Sequence, residues 1–88
     1  MIKPRHQITI EYCVPCHYLP RATALAGEIL AQWAPVITGL ELRSGSGGRL
    51  EVSVDGDVVF SKAELQRFPE EGEVSRLLQA RLGAPVEF

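Results

Sequence analysis

The chain has 88 residues, a formal net charge of −2, and a composition with 45% hydrophobic and 23% charged residues. This length suits one domain, and the composition is typical of a folded globular protein rather than a disordered one. The nine Lys and Arg residues are scattered and form no basic stripe, so the sequence gives no indication of nucleic-acid binding.

The start of the chain holds no apolar stretch as long as a signal peptide or a membrane span requires. The two cysteines, Cys13 and Cys16, are separated by two residues, and a bridge across so short a loop would constrain the unfolded chain little. A secreted disulfide scaffold usually has several cysteine pairs. We therefore expect a cytoplasmic protein, without membrane association, whose cysteine pair serves chemistry or metal binding.

The first predicted element is a strand over residues 7–12. Ile8, Ile10 and Tyr12 alternate there with polar residues, which is the pattern of a half-buried strand. The strand leads directly into the segment Cys13-Val14-Pro15-Cys16, which therefore begins where the strand ends.

A helix is predicted next, from about Pro20 to the residue before Pro35. Proline is tolerated in a first helical turn, where its missing N–H would have no partner, and the residue before a proline is pushed out of the helical region. Trp33 lies on the apolar stripe of this helix and is expected in the core. The residues of that stripe, which recur at helical spacing, are Ala22, Leu25, Ala26, Ile29, Leu30 and Trp33.

Three strands are predicted after this helix, over residues 36–42, 50–54 and 57–60. The Ser- and Gly-rich segment 44–48 is predicted to be a flexible turn. Asp55-Gly56 is a strong hairpin signal, because glycine accepts the positive φ that such a turn needs.

The last predicted element is an amphipathic helix from Val74 to Leu82, with Gly83 placed to end it. The order is therefore strand, helix, three strands, helix. A strand, a crossover helix and a following strand normally pair in parallel, whereas the Asp55-Gly56 hairpin adds antiparallel strands. We expect an α+β fold with a mixed four-stranded sheet and two helices that cover its apolar surface.

The cysteine pair lies between a strand end and a helix start. The free N–H groups and the positive dipole end of a helix N-terminus favour a thiolate. A thiolate is the attacking species in disulfide exchange, and a second thiol two residues away resolves the mixed disulfide. A C-x-x-C motif alone is a moderate indication of redox chemistry, and its placement between a strand and a helix makes that indication stronger. We therefore predict that Cys13 and Cys16 form a redox-active dithiol.

Neighbouring residues are candidates for modulating this pair. Pro15 removes a backbone donor and fixes one dihedral between the cysteines. His17 is either a cation or proton acceptor for the thiols or a partly exposed histidine. Tyr12 and Tyr18 either shape a rim that faces a peptide or glutathione or pack on the core. Arg21 either meets a ligand carboxylate or is a solvated side chain.

Two alternatives to redox catalysis are open. Cys13, Cys16, His17 and His6 supply four zinc ligands on paper, but adjacent ligands strain a tetrahedral site and the chain has no second C-x-x-C. A non-catalytic module is the other alternative, in which closing of the disulfide changes the affinity for a protein partner. We predict no metal and no cofactor.

The sequence resembles the selenoprotein W, T and H (Rdx) group, specifically its short prokaryotic members that contain cysteine. Together the matching segments cover most of the chain in the expected order. They are residues 10–16 with Tyr18 and the helix after it, residues 54–62 (Val-Asp-Gly-Asp-Val-Val-Phe-Ser-Lys), and Arg67-Phe68-Pro69.

The resemblance implies a thioredoxin-like β-α-β-β-β-α fold and a redox role that involves glutathione, thioredoxin or protein thiols. In selenium-containing relatives the selenocysteine occupies the position of Cys16, whereas in thioredoxins the residue matching Cys13 attacks; the family argument favours Cys16. Cysteine in place of selenocysteine implies a slower nucleophile. Thioredoxins also place a cis-proline before their third strand, and the segment 44–48 contains no proline.

Overall fold

The computed structural model describes residues 5–86, which form an α+β domain with the predicted order of elements. A four-residue α-helix and one turn of 3₁₀-helix are additional. One turn of 3₁₀-helix, Ala34–Val36, joins the first helix to the second strand. The elements in chain order are β1 (His6–Cys13), α1 (Leu19–Trp33), β2 (Ile37–Gly45), β3 (Leu50–Val54), β4 (Asp57–Ser61), α2 (Lys62–Leu65) and α3 (Glu73–Leu82).

The four strands form one mixed sheet in the order β2-β1-β3-β4. β1 pairs in parallel with β2, and the β1–β3 and β3–β4 pairs are antiparallel. The predicted mixed four-stranded sheet is therefore confirmed, with β1 as a central strand. Its C-terminal end, which carries Cys13, lies between the end of β2 and the start of β3.

One face of the sheet is apolar and packs against the helices. Ile10 lies opposite Leu42 on β2 and Val52 on β3, so these side chains point to the same face. The helices complete the core, as predicted. The buried residues of α1 and α3 are Ala22, Ala26, Ile29, Trp33, Val74 and Leu78.

Trp33 is completely buried at the end of α1, as expected from its place on the apolar stripe. Its indole Nε1 donates a hydrogen bond of 2.9 Å to the carbonyl of Gly83. This bond ties the end of α1 to the end of α3, which Gly83 terminates at a φ of 86°. Within residues 5–86 no helix is long and apolar enough to cross a membrane.

The hairpin between β3 and β4 forms at Asp55-Gly56, as predicted, with positive φ at both residues. Asp55 also holds the start of β1, because its carboxylate accepts hydrogen bonds from the Gln7 N–H (2.9 Å) and contacts His6 Nδ1 at 2.8 Å. The Gln7 N–H first, and His6 second, hold the pKa of Asp55 below its usual value.

Three local details differ from the sequence-based expectations. β2 continues through Gly45 instead of ending at residue 42, because its parallel pairing with β1 extends to the Cys13–Gly45 pair. The four-residue helix α2 was not predicted; the Ser61 hydroxyl caps it by accepting a hydrogen bond from the Glu64 N–H. α1 begins at Leu19, so two residues separate it from Cys16.

Candidate redox site

The two cysteines form a disulfide at one end of the sheet, with their Cα atoms 5.3 Å apart. They differ in exposure. Cys13 is the last residue of β1 and is completely buried, whereas Cys16 lies in the following turn and is partly exposed. A partner molecule therefore meets Cys16 before Cys13.

Backbone hydrogen bonds to both neighbouring strands fix the first half of the motif. The Cys13 N–H donates to the carbonyl of Arg49 (2.9 Å), and the Val14 N–H donates to the carbonyl of Gly45 (3.0 Å). Gly45 approaches β1 so closely that an added Cβ would lie 3.0 Å from a carboxylate oxygen of Glu11. The end of β1 is thus held on both sides.

A tight turn carries the chain from Cys13 to α1. The His17 N–H donates to the carbonyl of Val14 (3.0 Å), and the Tyr18 N–H donates to the carbonyl of Cys13 (3.3 Å). His17 has a φ of 63°, a left-handed conformation that is uncommon for a residue with a side chain. The sulfurs thus lie beside a turn that precedes the helix, and the effect of the helix dipole is less direct than the sequence predicted, since it falls off within the first turn.

Two aromatic rings and two cations lie next to this turn. The rings of Tyr18 and Phe68 meet edge to face, with centroids 5.0 Å apart. The Arg21 guanidinium carbon lies 3.8 Å from the Phe68 centroid, and Lys62 Nζ lies 5.6 Å from the Tyr18 centroid and 5.2 Å from that of Phe68. We refer to Tyr18, Arg21, Lys62 and Phe68 as the cation–aromatic cluster.

Lys62 also lies close to the loop that holds Cys13. An ideal Cβ built on Gly48 would be 3.7 Å from Lys62 Nζ, and the next residue, Arg49, accepts the hydrogen bond from the Cys13 N–H. The cluster therefore lies near the C-x-x-C segment on two counts: Tyr18 belongs to the turn that follows Cys16, and Lys62 approaches Gly48, whose neighbour Arg49 bonds to the Cys13 backbone.

The Ser61-Lys62 segment is held in place by a carboxylate of β3. Glu51 accepts hydrogen bonds from the Ser61 hydroxyl (2.5 Å) and from the Ala63 N–H (3.3 Å). These bonds position α2, whose first residue is Lys62. The Ser-Lys pair thus connects the end of β4 to the cluster.

The Arg67-Phe68-Pro69 segment is fixed by an ion pair with the start of α3. Arg67 contacts both carboxylate oxygens of Glu73, at 2.7 and 2.9 Å, and the Glu70 N–H donates to the same carboxylate (2.8 Å). The Arg67 hydrogen bonds first, and the Glu70 N–H second, lower the pKa of Glu73 to about 2. The same pair raises the pKa of Arg67. Phe68 is therefore carried by a segment with fixed ends.

Comparison with known proteins identifies the family. The model of the Rdx family matches residues 7–80. The chain belongs to the Rdx family.

Two curated relatives are both called migration and invasion enhancer 1. The protein of Bos taurus is 33% identical over 88 residues, which covers 97% of this chain and 75% of that protein. The protein of Mus musculus is 33% identical over 81 residues, which covers 91% of this chain and 69% of that protein.

Two crystal structures share the fold. A selenoprotein W-related protein from Vibrio cholerae has a TM-score of 0.82 and 26% identity, with 89% of this chain and 98% of that chain covered. A protein from Bordetella parapertussis has a TM-score of 0.83 and 26% identity, with 91% and 100% covered. The thioredoxin-like fold and the selenoprotein W-like resemblance are therefore confirmed.

The predicted modulators of this Rdx-family site differ in their exposure and in the residues that they contact. Tyr18 belongs to the cation–aromatic cluster, and Tyr12 is half-buried and packs against the core. Pro15 and His17 are exposed in the turn. Arg21, which had two interpretations, lies over the ring of Phe68.

Lys62 and Phe68 are two neighbours of the site that sequence reasoning did not identify as such. Both lie in segments that carry the family resemblance, Ser61-Lys62 and residues 67–69. Their distance from the cysteines along the chain is 46 residues or more, counted from Cys16 to Lys62, so tertiary contacts bring them to Tyr18 in the turn after Cys16. The combination of a cation and an aromatic residue in matching segments was the available signal.

The four zinc ligands considered from the sequence do not meet. His6 begins β1 and Cys13 ends it, so seven residue-to-residue steps along the strand, roughly 23 Å, separate their Cα atoms. His6 instead contacts Asp55. Across the part of the chain that the structure describes, no three His, Cys, Asp or Glu side chains are grouped as a metal site requires.

Proposed function

We propose that this protein is a cytoplasmic thiol–disulfide redox protein in which Cys16 attacks and Cys13 resolves. One observation carries the proposal: the two bonded cysteines differ in exposure, with Cys13 completely buried and Cys16 partly exposed. Thiol–disulfide exchange requires that a thiolate reach the sulfur of its partner. Cys16 meets this condition for a bulky partner, and Cys13 meets it only for its neighbour Cys16.

The proposed cycle begins with both cysteines reduced. The Cys16 thiolate attacks one sulfur of a partner disulfide, a bond forms between those two sulfurs, and the second partner sulfur leaves as a thiolate. The Cys13 thiol loses its proton and attacks the Cys16 sulfur, which releases the first partner sulfur as a thiolate. Two electrons pass to the partner, and the Cys13–Cys16 disulfide forms. A thiol reductant, such as glutathione or reduced thioredoxin, returns two electrons to the pair.

The turn supports this assignment of roles. His17 follows Cys16 directly and is exposed, and in the proposed cycle its imidazole accepts the proton of the Cys16 thiol. The Cys13 backbone is held by hydrogen bonds on both sides of β1, which keeps its sulfur within reach of Cys16 while the attacking residue holds its partner.

Trapping of mixed disulfides tests the proposal. Reduced Cys13→Ser, which lacks the resolving thiol, is expected to accumulate a stable mixed disulfide with oxidised glutathione or with a disulfide-containing protein. Reduced Cys16→Ser is expected to form that adduct at least tenfold more slowly. Mass spectrometry of the intact chains measures both. Equal rates, or faster reaction through Cys13, would refute the assignment, and Cys13→Ala repeats the test if the serine variant does not fold.

A second candidate function is a non-catalytic module whose partner affinity depends on the disulfide. The observation that favours it is a pair of exposed apolar residues. Val14 (49% exposed) lies within the motif, and Leu19 (48% exposed) follows it. Opening of the disulfide would change the surface that they form. Pull-downs with the reduced and the oxidised protein test this candidate: different partner sets support it, and identical sets remove it.

A further inference from the structure

Within residues 5–86 the two cations of the cluster have no carboxylate partner, whereas four of the six other Lys and Arg side chains there have one. Among the ion pairs of residues 5–86, all with N–O distances up to 4.0 Å, neither Arg21 nor Lys62 takes part. The arginines that do pair with carboxylates are Arg43, Arg49, Arg67 and Arg81.

The aromatic rings hold these cations without neutralising them. A cation over a ring face is attracted by the ring quadrupole, but the ring carries no net charge. Arg21 lies over Phe68, and Lys62 lies near both Phe68 and Tyr18. Two positive charges therefore lie at the end of the sheet that carries the C-x-x-C turn and remain available to an anion.

Apolar surface adjoins the same end of the sheet. Val14 lies between the two cysteines and Leu19 opens α1, and both are about half exposed. Pro15 is exposed as well. Exposed apolar side chains next to a reactive sulfur supply contact area for a segment of polypeptide, which a small thiol would leave mostly uncovered.

Arg21 also borders a groove of about 200 Å³ that runs between α1 and the segment before α3. Three carboxylates, those of Glu28, Glu70 and Glu71, border it. These carboxylates weaken the attraction of Arg21 for an anion within the groove, whereas Lys62 does not line the groove.

We infer that the cation–aromatic cluster binds a carboxylate of a protein substrate, an Asp or Glu next to the cysteine that reacts with Cys16. The inference rests on the proposed function and names its substrate class: disulfide-bearing polypeptide segments with an acidic residue beside the cysteine. The carboxylate pairs with Lys62 and Arg21, and this contact places the neighbouring sulfur at Cys16. The chemical step is the exchange described above, unchanged in its atoms and electrons.

Activated peptides provide a direct test with the full-length reduced protein. Three short peptides carry one cysteine as its 2-thiopyridyl disulfide and differ only in the next residue, which is Asp, Asn or Lys. Cys16 attacks the peptide sulfur, and the thiopyridyl group leaves as pyridine-2-thione, which is followed by its absorbance. Each rate is divided by the rate of the same peptide with 2-mercaptoethanol, a neutral thiol, to remove the intrinsic reactivity of the peptide.

At about 10 mM salt the normalised rate for the Asp peptide is expected to exceed that for the Lys peptide by about threefold to tenfold, the range for one or two exposed ion pairs. The ratio is expected to fall toward one at about 0.5 M salt, where exposed charges are screened. Lys62→Gln and Arg21→Gln should each reduce the ratio, whereas Lys62→Arg keeps the charge and should retain most of it.

Arg5→Gln is the matched control, because it removes one positive charge at the opposite end of β1 and is expected to leave the ratio unchanged. Equal normalised rates for all three peptides, or a ratio insensitive to Lys62→Gln and Arg21→Gln, would overturn the inference while leaving the role of Cys16 intact. If the reduced protein reacts with no peptide faster than a free thiol does, the proposed function itself fails.

Discussion

Arg67 and Glu73 form a two-point ion pair, with N–O distances of 2.7 and 2.9 Å, that closes the loop between α2 and α3. The Glu70 N–H donates to the same carboxylate. Phe68 lies within this loop and contacts Arg21 and Tyr18. The ion pair thus helps to position Phe68 in the cation–aromatic cluster.

The ion pair predicts how stability depends on pH. The folded-state pKa of Glu73, about 2, lies below its ordinary value of 4.5, so the ionised form stabilises the fold above pH 4.5 and this contribution is lost as the pH falls toward 2. Glu73→Gln is expected to lower the melting temperature by a few degrees at pH 7, and the difference from the wild type should shrink below pH 4.5. Thermal unfolding at several pH values measures it; a constant difference down to pH 2.5 would contradict this account.

The backbone conformations of Gly56 in the hairpin turn and Gly27 in α1 predict opposite effects on stability when each is replaced by alanine. Gly56 has a φ of 89°, and Gly27 lies within α1; an added Cβ would meet no atom within 4 Å at either position. Gly56→Ala therefore acts through backbone strain alone and should destabilise the fold by about 1 kcal/mol. Gly27→Ala should stabilise it by up to about 1 kcal/mol, because alanine is the better helix former. Urea unfolding compares the two, and a shared sign would refute the interpretation.

The burial of two adjacent leucines of α3 predicts a large difference in the stability lost when each is replaced by alanine. Leu78 is completely buried, whereas Leu77 is 38% exposed. Leu78→Ala removes side-chain atoms from a packed core and is expected to cost about 2–5 kcal/mol of unfolding free energy. Leu77→Ala should cost well under half of that value. The midpoints of urea denaturation give both numbers, and similar losses would mean that the face of α3 is assigned incorrectly.

Local patterns in the sequence were sufficient for most of the fold. The alternation of Ile8, Ile10 and Tyr12, the helical spacing that ends in Trp33 and the Asp55-Gly56 turn each depend on neighbouring residues, and each element appears where it was predicted. Such signals require no knowledge of tertiary contacts.

What the sequence could not supply depends on contacts between distant residues. β2 reaches Gly45 because β1 offers it a pairing partner up to Cys13, although Ser and Gly in this segment favour a turn. α2 has four residues, which is too short for a helical period to show. The approach of Lys62 to Gly48, in the loop next to the end of β1, follows from the register of three strands, which no local pattern encodes.

The assignment of roles to Cys13 and Cys16 depends on their difference in exposure, which differential alkylation of the reduced native protein measures. A short pulse of limiting iodoacetamide, a small neutral reagent, is followed by digestion with trypsin. Cleavage after Arg5 and Arg21 leaves both cysteines on one peptide, and fragment ions that separate Cys13 from Cys16 locate the label. At least nine of ten singly labelled chains are expected to carry the label on Cys16, and denaturation before the pulse should bring the two sites close to parity. Preferential labelling of Cys13 in the native protein would refute the assignment of roles to the two cysteines.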